Sequence, residues 1–188
     1  MKEPKNVGTR YRIDASRGSF TVQAFADGLL SFMGHNPTFA VRKYGGEVQF
    51  SVGNAEVASM LLLARADTLS VLDRVSEKDR GEIENTMRKD VLETAQYPEV
   101  IFVGKDVSMK KINGGRYQVQ VAGELSLHGV ARGHLITVNA EISDDLIRAR
   151  GESTLRLSDY NIKPVKALGG TLKVKDEIKL SFDITAGI

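Results

Sequence analysis

Residues Tyr117 to His128 alternate in strict period two. Tyr117, Val119, Val121, Gly123, Leu125 and Leu127 share one face, and Gln118, Gln120, Ala122, Glu124, Ser126 and His128 share the other. That period belongs to a long antiparallel strand with one side against a core and one against water. The signature returns where Ile147, Ala149, Gly151, Ser153, Leu155 and Leu157 oppose Arg148, Arg150, Glu152, Thr154, Arg156 and Ser158. It returns again where Ile178, Leu180, Phe182 and Ile184 oppose Glu177, Lys179, Ser181 and Asp183. Function in such a chain lies in what a large antiparallel sheet encloses, or in the loops at its ends.

The other segments fit the same scheme. Strands are expected over Ser19–Ala26, Thr38–Arg42 and Gly46–Val52, with Gly45 and Gly46 turning the chain between the last two. Ser59–Ala66 contains the unbroken run Met60, Leu61, Leu62, Leu63 and reads as a strand, although a short helix has the same look. Between Ser76 and Tyr97 the period changes. Ser76 and Asp79 form a capping box, Ile83, Met87 and Val91 recur at steps of four, and Pro98 ends the helix. Val100–Ser108, a turn at Asn113-Gly114, His134–Ile142, Leu146–Ser158 and Thr171–Ile184 complete the set.

The fold class is therefore all-β: an eight-stranded antiparallel up-and-down barrel with one helical segment around residues 76–96, in preference to a two-sheet sandwich. Residues 1–10 are expected to be an N-terminal extension and residues 11–188 a single barrel domain, a size that all-β folds reach undivided. The inward row Ala149, Gly151, Ser153 is small where a filled interior would carry Val, Leu or Phe. With aromatics at only 6% and no Trp, the expectation is a hollow barrel.

Charge and composition exclude several classes. The formal charge is +2, with Lys and Arg dispersed among Asp and Glu, so nucleic acid is not an expected partner. Cys is absent, which removes disulfides, thiolate metal sites and cysteine nucleophiles. Met1 to Tyr11 has no apolar run, so neither a secretion signal nor a membrane span is expected there. The expected compartment is cytoplasmic, or periplasmic for a mature chain whose signal has been removed.

Several landmarks, in order, resemble the YceI-like family of lipocalin-fold, polyisoprenoid-binding proteins. They are Tyr11-Arg12-Ile13-Asp14 leading to Ser19-Phe20, Asp90-Val91-Leu92-Glu93, and Tyr97-Pro98-Glu99-Val100-Ile101-Phe102. They continue with Gly123-Glu124-Leu125-Ser126-Leu127-His128-Gly129-Val130, Ser158-Asp159-Tyr160-Asn161-Ile162 and Lys175-Asp176-Glu177-Ile178. The resemblance implies a lipocalin-like barrel holding a long isoprenoid tail, and it implies no catalytic residues. Two departures stand out. The family's Arg-Asp-x-His stretch before the helix is missing, with Asn85 about where its His would be, and Met33-Gly34-His35-Asn36-Pro37 replaces the usual sequence after the first hairpin.

The expected function is non-enzymatic binding, transport or sequestration of a hydrophobic or amphipathic small molecule. An isoprenoid lipid or isoprenoid quinone is the expected ligand, with no cofactor and no metal. Inward positions expected along an apolar tail are Phe20, Val22, Leu61, Leu63, Phe102, Leu125, Leu127, Ala149, Gly151, Leu155 and Phe182. Phe32, Phe39, Tyr160 and Ile162 are expected near the mouth, and any of these residues serves equally as ordinary core.

His35 and Asn36, held between Gly34 and Pro37, are the candidates to meet a polar head group, against the plainer role of satisfying a tight turn. His128 and His134 flank residues 129–133 and are candidates to face each other on adjacent strands, though their spacing matches no zinc signature. No G-x-S-x-G elbow, Walker A loop, H-E-x-x-H helix or dinucleotide fingerprint occurs. Two rival readings are a His-dependent or metal-assisted enzyme and a protein-interaction module with a filled barrel. Homodimerisation through the 108–117 hairpin is compatible with the sequence and not required by it.

Overall fold

β1 (Thr9–Asp27) is the longest strand and organises the rest. The structure, a computed structural model, describes residues 8–27, 36–51, 54–163, 166–167 and 172–188. β2 (Thr38–Val41) and β3 (Tyr44–Ser51) both pair antiparallel with β1, β3 along Thr9–Arg12 and β2 along Thr21–Gln23. Two strands antiparallel to the same partner run in the same direction. The hairpin expected at Gly45-Gly46 therefore does not form: both glycines lie inside β3, and the chain steps from β2 to β3 through Arg42 and Lys43. One long strand can serve two short partners because its register slips between Asp14 and Ser19.

β4 (Asn54–Arg65) follows, then the short β5 (Leu69–Val71), β6 (Glu99–Asn113), β7 (Arg116–Leu127), β8 (Val130–Ile142), β9 (Leu146–Arg156), β10 (Lys166–Ala167) and β11 (Leu172–Gly187). Strands β1, β3, β4, β6, β7, β8, β9 and β11 form a ring, closed where β11 pairs with β1 from Arg12↔Gly187 to Asp27↔Lys173. This is the expected eight-stranded antiparallel barrel, in which closure removes the sheet edges. β2 and β5 continue from the upper half of β1 as a flap at one end of the ring.

α1 (Glu77–Thr86) begins as the sequence predicts: the Ser76 hydroxyl accepts from the Asp79 amide at 3.1 Å. Instead of running on toward Pro98 it widens into a π-helical turn, Met87–Val91, and ends at Glu93, whose φ of 44° is left-handed. α1 buries no residue of its own and is held by side chains that reach backbone groups of β5. Glu84 accepts from the Val71 amide (3.0 Å), Arg88 donates to the Leu69 carbonyl (3.1 Å), and Arg80 donates to the Val71 carbonyl. The exposed edge of β5 is thereby satisfied without a further strand.

The opposite end is closed by Tyr11, 2% exposed, which packs with Phe50, Ala58, Ile147 and Ala186. Its hydroxyl donates to the Asp144 carbonyl in the β8–β9 turn at 3.1 Å.

Candidate functional site

The ring encloses a cavity of about 830 Å³, lined by residues of every barrel strand and by the α1 and π-turn residues above them. That volume lies in the upper part of the range of small-molecule sites. At the helix end its lining includes the exposed side chains of Asp79, Glu82 and Asp90, so the cavity reaches solvent there. The stripe Ile83, Met87, Val91 turns toward the lumen, as its spacing predicts.

Alternation decides which side chains line the wall. On β7 Val119, Val121, Leu125 and Leu127 face inward, and on β9 Ile147, Ala149, Ser153 and Leu155 do so. Of the expected tail-lining residues, Phe20, Val22, Phe102, Leu125, Leu127, Ala149, Leu155 and Phe182 line the cavity, and Phe39 lines it at the flap. Leu61 and Leu63 do not. Antiparallel partners directly opposite share a face, and Leu62↔Phe102 is such a pair, so the inward Phe102 fixes Leu62 inward and turns Leu61 and Leu63 outward. Leu61 is 40% exposed, and its place on the wall is taken by Met60 and Leu62.

Gly151 belongs to the inward row but leaves no void. A Cβ built there would lie 2.8 Å from the Phe182 ring, which fills the slot across the pair Phe182↔Gly151. The same ring meets Phe20 edge-on, with centroids 6.2 Å apart. Tyr160 and Ile162, expected near the mouth, are buried, 3% and 2% exposed, and do not line the cavity. Burial raises the Tyr160 phenol above its ordinary pKa. Asn36 is exposed and outside the lining, although its neighbour Pro37 lines the cavity. Phe32 and His35 lie outside the described residues. Asn85 is exposed and away from the lumen.

The two described histidines do not face each other. His128 sits in the β7–β8 turn with φ 51°, followed by Gly129 at φ 73°, the left-handed pair that a two-residue hairpin turn demands. Its Nε2 meets the Glu93 carboxylate at 2.8 Å, its Nδ1 the Tyr160 carbonyl at 3.3 Å, and its ring packs on Tyr97 at 4.4 Å. His128 thus ties the end of the π-turn to the barrel rim. His134 on β8 pairs with Gly123 of β7, lines the lumen, and meets Ser153 of β9 at 2.8 Å. Burial lowers its pKa below the usual value, so its neutral form is favoured. The sequence held the signal for this placement, since His134 is in phase with Ile136, Val138, Ala140 and Ile142.

Polar groups at the helix end are already engaged. Arg65 meets Asp67 at 3.0 Å and Glu99 at 3.4 Å, Asp73 accepts from the Thr38 amide at 2.7 Å, and Asp79 is bonded to the Ser76 cap. Among the described residues no three His, Asp or Glu side chains converge as metal ligands. None of the described helices is long and apolar enough to cross a membrane.

Residues 11–186 match the YceI-like domain family. The chain belongs to that family. Burkholderia cenocepacia BcnA has the same fold, with a TM-score of 0.69 at 16% identity over 92% of this chain and 98% of that one. The Campylobacter jejuni YCEI protein is similar at a TM-score of 0.58 and 15% identity, covering 79% of this chain and 82% of its own, and an engineered mutant of it at 0.60. No curated protein matches the chain by sequence. The YceI-like family is associated with binding hydrophobic ligands rather than with catalysis, and the apolar lumen is in keeping with that.

Proposed function

We propose that this YceI-like barrel binds an amphiphile with an extended apolar tail, most naturally an isoprenoid lipid or isoprenoid quinone, and carries or sequesters it without changing it chemically. The observation that carries the reading is the apolar cavity of about 830 Å³, open at the helix end and closed beneath by Tyr11. Burying one five-carbon isoprene unit contributes about 4 kcal/mol at ~0.8 kcal/mol per carbon. Association costs upward of ~4 kcal/mol, so two or three units suffice for useful affinity. The tail lies along Phe20, Phe102, Leu125 and Ala149, and the polar end lies toward the solvent opening or wherever the wall offers hydrogen bonds.

The test is solvent extraction of the protein purified from its native host, with mass spectrometry of whatever is retained, paired with uptake of a fluorescent apolar probe by the stripped protein. A prenyl lipid in stoichiometric amount, competing with the probe, is the expected result. A protein that retains no lipid and takes up no probe refutes the reading.

A further inference from the structure

Between β8 and β9 the backbone ladder stops short, and a side-chain hydrogen bond lies beyond its end. β8 pairs with β7 along its whole length, from Leu127↔Val130 to Arg116↔Glu141. Its ladder with β9 covers only Val138↔Gly151 to Ile142↔Ile147, while β9 from Gly151 to Arg156 remains laddered to β11. Between Val130–Thr137 and Glu152–Arg156 the two strands part, and His134 and Ser153 share a hydrogen bond of 2.8 Å across the gap. Both line the lumen, and the next inward positions are apolar: Ile136 on β8, Leu155 on β9, and Leu180 opposite Ser153 on β11.

A polar pair set into an apolar wall leaves hydrogen-bonding capacity unspent. A neutral imidazole has one donor and one acceptor nitrogen, and a serine hydroxyl donates once and accepts twice. Their single shared bond leaves the pair with one donor and at least one acceptor in either tautomer. Among the described residues nothing else bonds to the His134 ring. Among the described residues, the charged groups that line the cavity are one cation, Arg65, already paired, against the four carboxylates of Asp73, Asp79, Glu82 and Asp90. An anionic head group meets these carboxylates at the opening and, among the described residues, no unpaired cation in the lining.

Resting on the reading of the lumen as the guest's site, we infer that His134 and Ser153 form a hydrogen-bonding subsite in the lumen wall that selects guests bearing an uncharged oxygen group. A hydroxyl, phenol or quinone carbonyl qualifies, whereas a carboxylate or phosphate does not.

The experiment compares three probes of one chain length, farnesol, farnesene and farnesyl phosphate, by displacement of a fluorescent apolar probe from the full-length protein. The native protein is expected to bind farnesol about tenfold more tightly than farnesene, the scale of one well-formed hydrogen bond, and to bind the phosphate weakest. The double variant His134→Leu/Ser153→Ala is expected to bind farnesol and farnesene alike, and its uptake of farnesene shows that it folds. His134→Gln, which keeps a donor and an acceptor, restores part of the preference. The His134 ring nitrogen resonances shift with farnesol and not with farnesene. An equal affinity for alcohol and hydrocarbon in the native protein, or an alcohol preference that survives the double substitution, overturns the subsite and leaves the lumen reading standing. Binding of none of the three overturns both.

Discussion

Ala149→Phe separates a hollow barrel from a packed one by the sign of its effect on stability. Ala149 lines the cavity between two other inward positions, Ala140 on β8 and Ile184 on β11, and its Cβ points at open volume. A phenyl ring in that volume adds about 100 Å² of buried apolar surface over alanine, or ~2.5 kcal/mol at ~25 cal/mol per Å². Fixing the ring costs about 1 kcal/mol of rotamer entropy, so a net gain of about 1–2 kcal/mol is expected. In a packed interior the same substitution costs about 1–3 kcal/mol. The ring also takes the place of guest contacts of the same area, and losing ~2.5 kcal/mol there weakens binding about 60-fold. Urea denaturation followed by far-ultraviolet circular dichroism gives the first quantity, and titration of the stripped protein with a fluorescent apolar probe gives the second. A destabilised variant that binds the probe as well as the native protein refutes the reasoning.

Wall parity has its own test: Leu62→Lys puts an ammonium in the lumen and is expected to cost more than about 2 kcal/mol and to abolish probe uptake, whereas Leu61→Lys on the outer face stays within about 0.5 kcal/mol by the same denaturation assay. Gly123→Ala would bring a methyl group within 2.3 Å of the Val103 carbonyl, where β6 slips register, and a loss of about 2 kcal/mol or more in a melting experiment is expected. Asp183 on the outer face is bonded to Arg148 (2.7 Å) and Arg150 (3.1 Å), which hold its carboxyl down at about 2. Because the folded value lies below the unfolded one, its contribution is complete above about pH 4 and lost as pH falls toward 2, a nominal ~2.5 kcal/mol that solvent screening reduces to about 1 kcal/mol. Asp183→Asn should remove that part of the acid-denaturation curve, and an unchanged curve would show that the pair contributes nothing.

How much was legible depended on whether polar residues marked the strand's outer face. β7 and β9 alternate cleanly with charged and amide side chains, so Val119 to Leu127 and Ile147 to Leu155 could be assigned to the lumen from sequence. β4 offers four apolar residues in a row, Met60 to Leu63, and its parity is fixed only by pairing with β6, which no local pattern reveals. The separate roles of β2 and β3 were hidden for the same reason, since they follow from a register slip in β1 far away along the chain. The Ser76 cap was legible because its chemistry is local, whereas the helix end was not: it depends on Glu93 adopting a left-handed conformation beside His128, a tertiary contact. Tyr160 and Ile162, at and just after the short 3-10 turn Leu157–Tyr160, are buried in one cluster with the lumen residues Leu127 and Leu155 without lining the cavity themselves, a tertiary detail that no local pattern reveals.

Eight strands close at a diameter that side chains can just fill, so a lumen of this size needs a cause. Small residues alone do not supply it, since the slot over Gly151 is taken by Phe182. The cause is placement. Large aliphatic side chains that could fill the interior are on the outside, with Leu135 55%, Leu61 40% and Val103 37% exposed, while inward positions on β8 and β9 carry Ala140, Ala149 and Ser153. Leu61 and Val103 are direct partners, so two adjacent strands turn apolar side chains away from the lumen together. Exchanging faces would have increased burial at about 0.8 kcal/mol per methylene, and an interior selected for stability alone would have taken that gain. On the proposed reading, an alkyl chain threaded past Phe20, Phe102 and Ala149 would recover the same free energy from outside the sequence, the guest standing in for the missing core atoms.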